Sequence, residues 1–387
     1  MTANKPYRIL ALDGGGIRGL TSAILLEDLE KKLQEHAQNS QVRIRDYFDM
    51  IAGTSTGSII ACGVAQGVSA TNIKDFYRSK GGKIFPEKSW FYKVIKGIVG
   101  RITTGFSQPM FDGTGLEKVL KEEAFGDELL FEELPRPILI TSYDTYNRQA
   151  VVFKNTEPLI GKIPVWEICR SSAAAPVAFP AYEMKNKHFL QYLQEKGFKI
   201  PDGAGIPLID GGVFANDPVL CAIAERLHWN LFPPANQEKW ISEGHQRVEI
   251  KDIVVASFGT GQPIERKIDI QQARGWGVEW ASPFRGVPIV DILFDGSTEA
   301  TDYIAQQILW KENYFRFQPI LDEESSISPF DANRSKLCAL QKRVESFCKD
   351  NKIDDQLNQL VTILTSETSK QPVVPEEYVT PISVYSC

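Results

Sequence analysis

Along the chain the spacing of apolar positions changes period several times, and each change predicts an element. Tyr7–Leu12 is a nearly unbroken apolar run, as expected of a strand buried on both faces, and Asp13-Gly14-Gly15-Gly16 ends it. Leu20, Ile24, Leu29 and Leu33 then recur on one helical face, with Glu and Lys opposite. A second apolar strand over 47–52 runs into Gly53-Thr54-Ser55-Thr56-Gly57, and the small and apolar residues over 58–64 predict a buried helix. Beyond it the patterns alternate, with strands over 137–143, 149–154, 206–209 and 250–257 and helices over 165–174 and 218–227. Such alternation predicts an α/β fold with a largely parallel sheet and helices on both faces.

Two stretches interrupt the alternation and read as inserted, lid-like segments. Residues 83–112 are rich in aromatic and basic side chains, and residues 275–295 carry Trp276, Trp280 and Phe284 among Gly and Pro. Helical patterns return over 331–349, with Leu337, Leu340, Val344 and Phe347 on one face, and over 354–365. The organisation expected is one domain over 1–350, followed by a C-terminal helix and flexible tail over 351–387, where Pro372, Pro375 and Pro381 fall.

Composition narrows the class of partner. A net charge of −6 argues against nucleic acid, which needs an excess of Lys and Arg on one face. The six cysteines (Cys62, Cys169, Cys221, Cys338, Cys348, Cys387) form no C-x-x-C pair, and no His, Cys or carboxylate cluster has metal-ligand spacing. They read as free thiols of a reducing compartment, and neither metal nor cofactor is expected. No apolar run approaches the roughly 20 residues that span a bilayer, and Met1–Pro6 shows no secretory pattern. A cytoplasmic protein, peripheral at the membrane at most, is expected.

Three turns carry chemistry. Gly53-Thr54-Ser55-Thr56-Gly57 fits G-x-S-x-G between a strand and a helix, where a serine nucleophile on a sharp turn needs small neighbours and gains from the helix N-terminus beneath it. Alone the pattern also suits an ordinary tight turn. Asp13-Gly14-Gly15-Gly16-Ile17-Arg18-Gly19 satisfies G-x-G-x-x-G over residues 14–19, so a dinucleotide loop competes with an oxyanion hole. Asp13 would repel a pyrophosphate, and the next strand ends in the serine turn instead of a ribose-binding acid. The better reading is an oxyanion hole built on the N–H groups of Gly15 and Gly16. Leu208-Ile209-Asp210-Gly211-Gly212 delivers an acid into a Gly-Gly turn, and Asp217 with Pro218 opens a helix. The four histidines (His36, His188, His228, His245) lie outside Gly-rich turns; His228 alone would restore a triad, because in α/β-hydrolases the histidine follows the acid.

In this order the D-G-G-G-x-R-G loop, the G-T-S-T-G elbow and the D-G-G turn resemble the patatin-like phospholipase family. Ser171-Ser172-Ala173-Ala174-Ala175-Pro176, Ser257-Phe258-Gly259-Thr260-Gly261 and Tyr314-Phe315-Arg316-Phe317 also look like features of that family, and the likeness covers roughly residues 7–350. It implies a three-layer α/β/α sandwich with a mostly parallel central sheet, and a Ser–Asp dyad in place of a Ser–His–Asp triad. Ser55 would be the nucleophile, Asp210 the base, and the Gly14–Gly16 backbone the oxyanion hole, with Gly53 and Gly57 framing the elbow and Gly211 and Gly212 the acid turn. Arg18 would hold the glycine loop in shape or meet a lipid phosphate. The substrates implied are acyl esters of membrane phospholipids or galactolipids, with transient membrane contact. A low-activity or signal-activated member is the alternative. The departures are an Asp-Gly-Gly turn where plant members often have Asp-Gly-Ala, and an insertion over 185–207.

The dyad demands a desolvated Asp210, since an exposed aspartate, with a pKa of ~3.9, is too weak a base. In the 83–105 segment, Lys83, Lys88, Lys93, Lys96 and Arg101 interleave with Phe85, Trp90, Phe91 and Tyr92. That mixture suits an anionic bilayer surface and equally an amphipathic helix lying on the core.

Overall fold

Strand β1 (Tyr7–Leu12) is buried at every residue and sits between two parallel neighbours, which is why its sequence is apolar without alternation. A computed structural model describes residues 5–85, 109–242, 244–264, 268–277 and 288–366. Its main sheet also contains β2 (Met50–Thr54), β3 (Ile138–Asp144), β4 (Gln149–Lys154), β5 (Tyr182–Met184), β6 (Ile206–Asp210), β7 (Ile253–Phe258) and β8 (Tyr314–Phe317). The order is β5-β6-β3-β2-β1-β7-β8, with β4 also paired to β3.

The five strands β3-β2-β1-β7-β8 run parallel, as the alternation predicted. The other edge does not, because β4 and β6 both pair antiparallel with β3, and β5 pairs antiparallel with β6. This departure from a fully parallel sheet matters for chemistry: β6 approaches β3 from the opposite direction.

Alternate residues of β1 enter two cores. Leu10 and Leu12 pack with the helices Gly19–Ala37 and Thr56–Gln66 on one face, while Ile9 and Ala11 pack with helix Val219–His228 on the other. The fold is therefore a three-layer α/β/α sandwich. Helix Asn351–Thr365, which follows residue 350, buries Leu357, Leu360 and Leu364 in the same core as helix Gly19–Ala37.

Several helices lie where none was expected, Ala70–Ile84 among them. Lys187–Glu195 occupies the insertion. Pro288–Ile308 begins within the segment read as lid-like, and it buries two threonines while leaving large apolar side chains outside. It buries Thr298 and Thr301 and exposes Ile289, Ile292 and Leu293. Residues 86–108, 278–287 and 367–387 lie outside the described residues, and with them all but Lys83, Ile84 and Phe85 of the basic–aromatic segment, Trp280, Phe284 and the tail.

Candidate active site

The serine turn is built by exclusion of side chains. A Cβ on Gly53 would lie 2.4 Å from the Gly57 carbonyl oxygen, and one on Gly57 would lie 2.1 Å from the Leu12 carbonyl oxygen, so the elbow closes only with glycine at both positions. Between them Ser55 has φ 54 and ψ −123, a conformation that costs a non-glycine residue about 1–3 kcal/mol. The strain is held by buried bonds: the Ser55 N–H donates to the Ser172 hydroxyl (2.8 Å), and the Ser58 N–H and hydroxyl both donate to the Ser55 carbonyl (2.9 and 2.6 Å).

The antiparallel β6 brings the acid to this serine. Asp210 pairs with Ser142 on β3, one residue beyond the Thr141 that pairs with Thr54 on β2. The chain then turns over β3 at Gly211, where a Cβ would meet the Thr141 hydroxyl at 2.2 Å. Glycine here is a clearance, and it lets the turn approach the end of β2.

Asp210 is fully buried. Its Oδ1 accepts the Gly212 N–H at 2.8 Å, and the Ser55 hydroxyl lies within hydrogen-bonding reach of the carboxyl. Oδ2 has no bond of full hydrogen-bond geometry among the described residues. Looser geometry of this kind is common in a resting site. Burial pushes the carboxyl up to about 7, opposed by the Ser55 hydroxyl and the Gly212 N–H. The desolvation that the dyad required of Asp210 is thus present.

The glycine loop reaches the same place. A Cβ on Gly14 would lie 3.1 Å from Ser55 Cβ and 2.3 Å from Asn216 Oδ1. The Gly14 N–H is spent on the Asn216 carbonyl (3.1 Å), so Gly14 cannot be one of the oxyanion donors. The N–H groups of Gly15 and Gly16 carry no bond to any described residue. Gly16 has φ +58, and a Cβ there would meet the Pro329 carbonyl oxygen at 2.2 Å, so this position too needs glycine. Arg18 is buried and donates to the Gly261 carbonyl at 3.3 Å, which corrects the expectation that it could meet a lipid phosphate: it braces the loop from within.

Beneath the loop lies a charge cluster that no single motif announced. Arg316 on β8 grips Asp13 in a bidentate pair (2.9 and 2.6 Å), donates to Ser257 (2.7 Å) and stands 3.5 Å from Asp217. Burial pushes Asp13 up to about 7, with Arg316 pulling the other way. Burial works against the Arg316 cation, and Asp13 and Asp217 more than offset it. One guanidinium thereby ties the base of the glycine loop to the end of the acid turn. Removing it would strand two buried carboxyls, and breaking such a pair costs about 3–5 kcal/mol. Asp13, expected only to repel a pyrophosphate, is the anchor of the loop.

None of the histidines bonds to Ser55 or Asp210. His228 stacks on Phe232 at the far end of its helix, about 14 Å along the axis from Val219. His245 bonds the Ser242 hydroxyl and the Pro6 carbonyl, beside Tyr7 at the amino end of β1, a strand that runs about 17 Å from Tyr7 to Leu12. His36 and His188 lie on other helices. Replacing His228 by Ala should therefore leave ester hydrolysis within about threefold of wild type; a loss beyond about a hundredfold at an unchanged melting temperature would bring back a triad.

A pocket opens from Ser55 and Gly16 toward an apolar wall of Ile59, Tyr77, Phe85, Leu116, Phe179 and Phe330. The Tyr77 hydroxyl is satisfied internally, by the Thr56 hydroxyl (2.5 Å) and carbonyl (3.0 Å), so the wall presents little free polarity.

A family model described as patatin-like phospholipase matches residues 10–223. The chain is 32% identical over 334 residues to patatin-like protein 2 of Arabidopsis thaliana, covering 80% of this chain and 75% of that protein. It is 30% identical to patatin group M-2 of Solanum tuberosum, over 81% of this chain and 76% of that one. It is also 29% identical to the probable inactive patatin-3-Kuras 1 of Solanum tuberosum, over 92% and 89%. Among solved structures, human GIVD cytosolic phospholipase A2 overlaps with a TM-score of 0.45 at 11% identity, covering 94% of this chain and 61% of that one. That overlap is too loose to add to the fold described above.

Proposed function

The chain belongs to the patatin-like phospholipase family, and from that premise we propose that it hydrolyses carboxylic esters of lipids through Ser55 and Asp210. The observation that carries this reading is a fully buried carboxyl, raised to about 7, within reach of a serine held at positive φ. In water a carboxylate is a poor base for a hydroxyl; desolvation raises its proton affinity into the range where general-base catalysis works near neutral pH.

Ser55 Oγ attacks the ester carbonyl carbon as its proton passes to Asp210. The oxyanion is met by the N–H groups of Gly15 and Gly16, each worth roughly 2.7–4 kcal/mol in comparable sites. The alcohol leaves with the proton from Asp210, and water, deprotonated by the same carboxylate, releases the acid and restores Ser55. The apolar pocket beside Ser55 and Gly16 supports an acyl chain as the part of the substrate held there.

Contact with a lipid surface is proposed to be peripheral; no helix among the described residues is long and apolar enough to cross a membrane. Labelling with a fluorophosphonate and mapping of the modified residue tests the proposal. Modification at Ser55 with ester turnover supports it; a folded protein that neither labels nor turns over would favour the low-activity reading, in keeping with the relative named as probable inactive.

A further inference from the structure

The acid turn contains a second group that the reading above leaves unused. Asn216 is only 8% exposed, and its Oδ1 is a buried acceptor with no partner among the described residues. Buried polar groups are nearly always paired, so one left open beside a reaction centre calls for a donor.

The amide's orientation follows from its neighbours. Asn216 Nδ2 and the Thr298 hydroxyl oxygen are 2.9 Å apart. Thr298 gives its only proton to the Phe294 carbonyl, at 3.0 Å, and so can only accept from Asn216. Nδ2 must face Thr298, and Oδ1 must face the site. The rest of the residue is clamped: the Asn216 N–H donates to Ser297 Oγ (3.2 Å), and its carbonyl receives the Gly14 N–H.

Oδ1 lies near both reacting residues. A Cβ on Gly14 would sit beside both Asn216 Oδ1 and Ser55 Cβ, and one on Gly212 would lie 3.0 Å from Asn216 Oδ1 and 3.1 Å from Asp210 Oδ1. Asp210 Oδ2, the oxygen not held by the Gly212 N–H, is also buried with no bond of full geometry among the described residues, and in the acyl-enzyme it loses the nearby Ser55 hydroxyl as well. Two buried acceptors in the same turn, both closed to bulk solvent, match a molecule with two O–H donors that enters the site from within. Water does so when the alcohol has left.

Resting on the assignment of Ser55 and Asp210, we propose that Asn216 holds the water that hydrolyses the acyl-enzyme. One O–H of that water points to Asn216 Oδ1 and the other to Asp210. The water oxygen attacks the acyl carbonyl carbon while its proton passes to Asp210. The carbonyl electron pair moves to the oxyanion. On collapse the bond from carbon to Ser55 Oγ breaks, Asp210 returns the proton to Oγ, and the carboxylic acid leaves with the O–H that Asn216 held. Acylation needs no water, so Asn216 separates the two half-reactions.

The test uses the full chain and a p-nitrophenyl ester, whose leaving group makes acylation the fast step. Asn216→Ala should lower the steady-state rate about tenfold or more, the loss of one hydrogen bond to a reacting group. It should turn over with a burst of p-nitrophenol equal to the enzyme concentration, and acyl-Ser55 should accumulate in acid-quenched mass spectra. The rate of fluorophosphonate labelling should stay within about threefold of wild type. Thr298→Val removes the acceptor that orients the amide and should produce the same pattern more weakly, which keeps the test open if Asn216→Ala folds poorly. A labelling rate that falls with turnover, or a slowed variant without accumulated acyl-Ser55, would overturn the proposal. An unmodified protein that neither labels at Ser55 nor hydrolyses the ester would instead remove the reading on which it rests.

Discussion

Ser55→Ala is expected to lower ester hydrolysis by roughly 10⁴-fold or more and to abolish fluorophosphonate labelling, while the melting temperature changes little. The size of the effect follows from chemistry: no other group can form the acyl bond, so what survives is only the contribution of the glycine loop and the pocket. The small stability effect follows from geometry. The Ser55 N–H bond to Ser172 and the Ser58 bonds to the Ser55 carbonyl use backbone atoms and persist in alanine. The strain at φ 54 also persists, because alanine tolerates that conformation no better than serine. The check is turnover and labelling of the purified variant beside a thermal melt. Wild-type hydrolysis in a correctly folded variant would remove Ser55 as nucleophile.

Asp210→Asn should be almost as damaging to turnover and should make the protein more stable. As a base Asp210 must be ionised, so kcat/KM of the wild type should climb as pH rises through about 7 and level off above it. Stability runs in the other direction. The carboxyl ionises near 3.8 when the chain is unfolded and near 7 when it is folded, so between those values the folded state holds the additional proton. Stability contributed by this group is intact below 3.8, falls by up to about 1.4 kcal/mol per pH unit across the window, and is fully lost above 7. Asparagine does not ionise and keeps an acceptor for the Gly212 N–H. Melting curves of both proteins from pH 4 to 8.5 test the sign: the variant's advantage should widen from pH 4 to 7 and then stay constant. An advantage that narrows with rising pH would mean that the carboxylate is stabilised where it lies.

Much of the architecture was legible because period and burial coincide. The apolar run Tyr7–Leu12 is β1, and the β-branched pattern Gln149–Lys154 is β4, with the expected bounds in both cases. Where the two come apart, the pattern misleads. Helix Pro288–Ile308 turns Thr298 and Thr301 inward, because they serve Asn216 and the Asp217 carbonyl, and leaves isoleucines outside. A rule that places apolar residues inside cannot recover it. Strand direction was equally hidden, since β6 carries no local mark of running against β3. At the candidate site the turns could be found from the spacing of their glycines, although most of the steric needs those glycines fill are set far off in sequence, Gly57 against Leu12, Gly211 against Thr141 and Gly16 against Pro329. Arg316 could not: Asp13 and Asp217 reach it only through the sheet. The role of Gly14 changed for the same reason, its N–H being claimed by a turn some two hundred residues away in sequence.

The bracket at Arg316 bears on how small a working fragment of this protein could be. The matched family region ends at residue 223 and already contains both Ser55 and Asp210. The cation that offsets Asp13 and Asp217 nevertheless arrives on β8, the last strand of the main sheet. A chain shortened to the matched region would turn β1 from an interior strand into an open edge and leave two carboxyls without their counter-ion. Losses of that kind are comparable with the whole stability of an ordinary domain, about 5–15 kcal/mol. Nucleophile and base, though encoded in the first 210 residues, are inherited together with the far end of the polypeptide, and recombination that swaps one without the other separates a catalytic loop from the residue that holds it down.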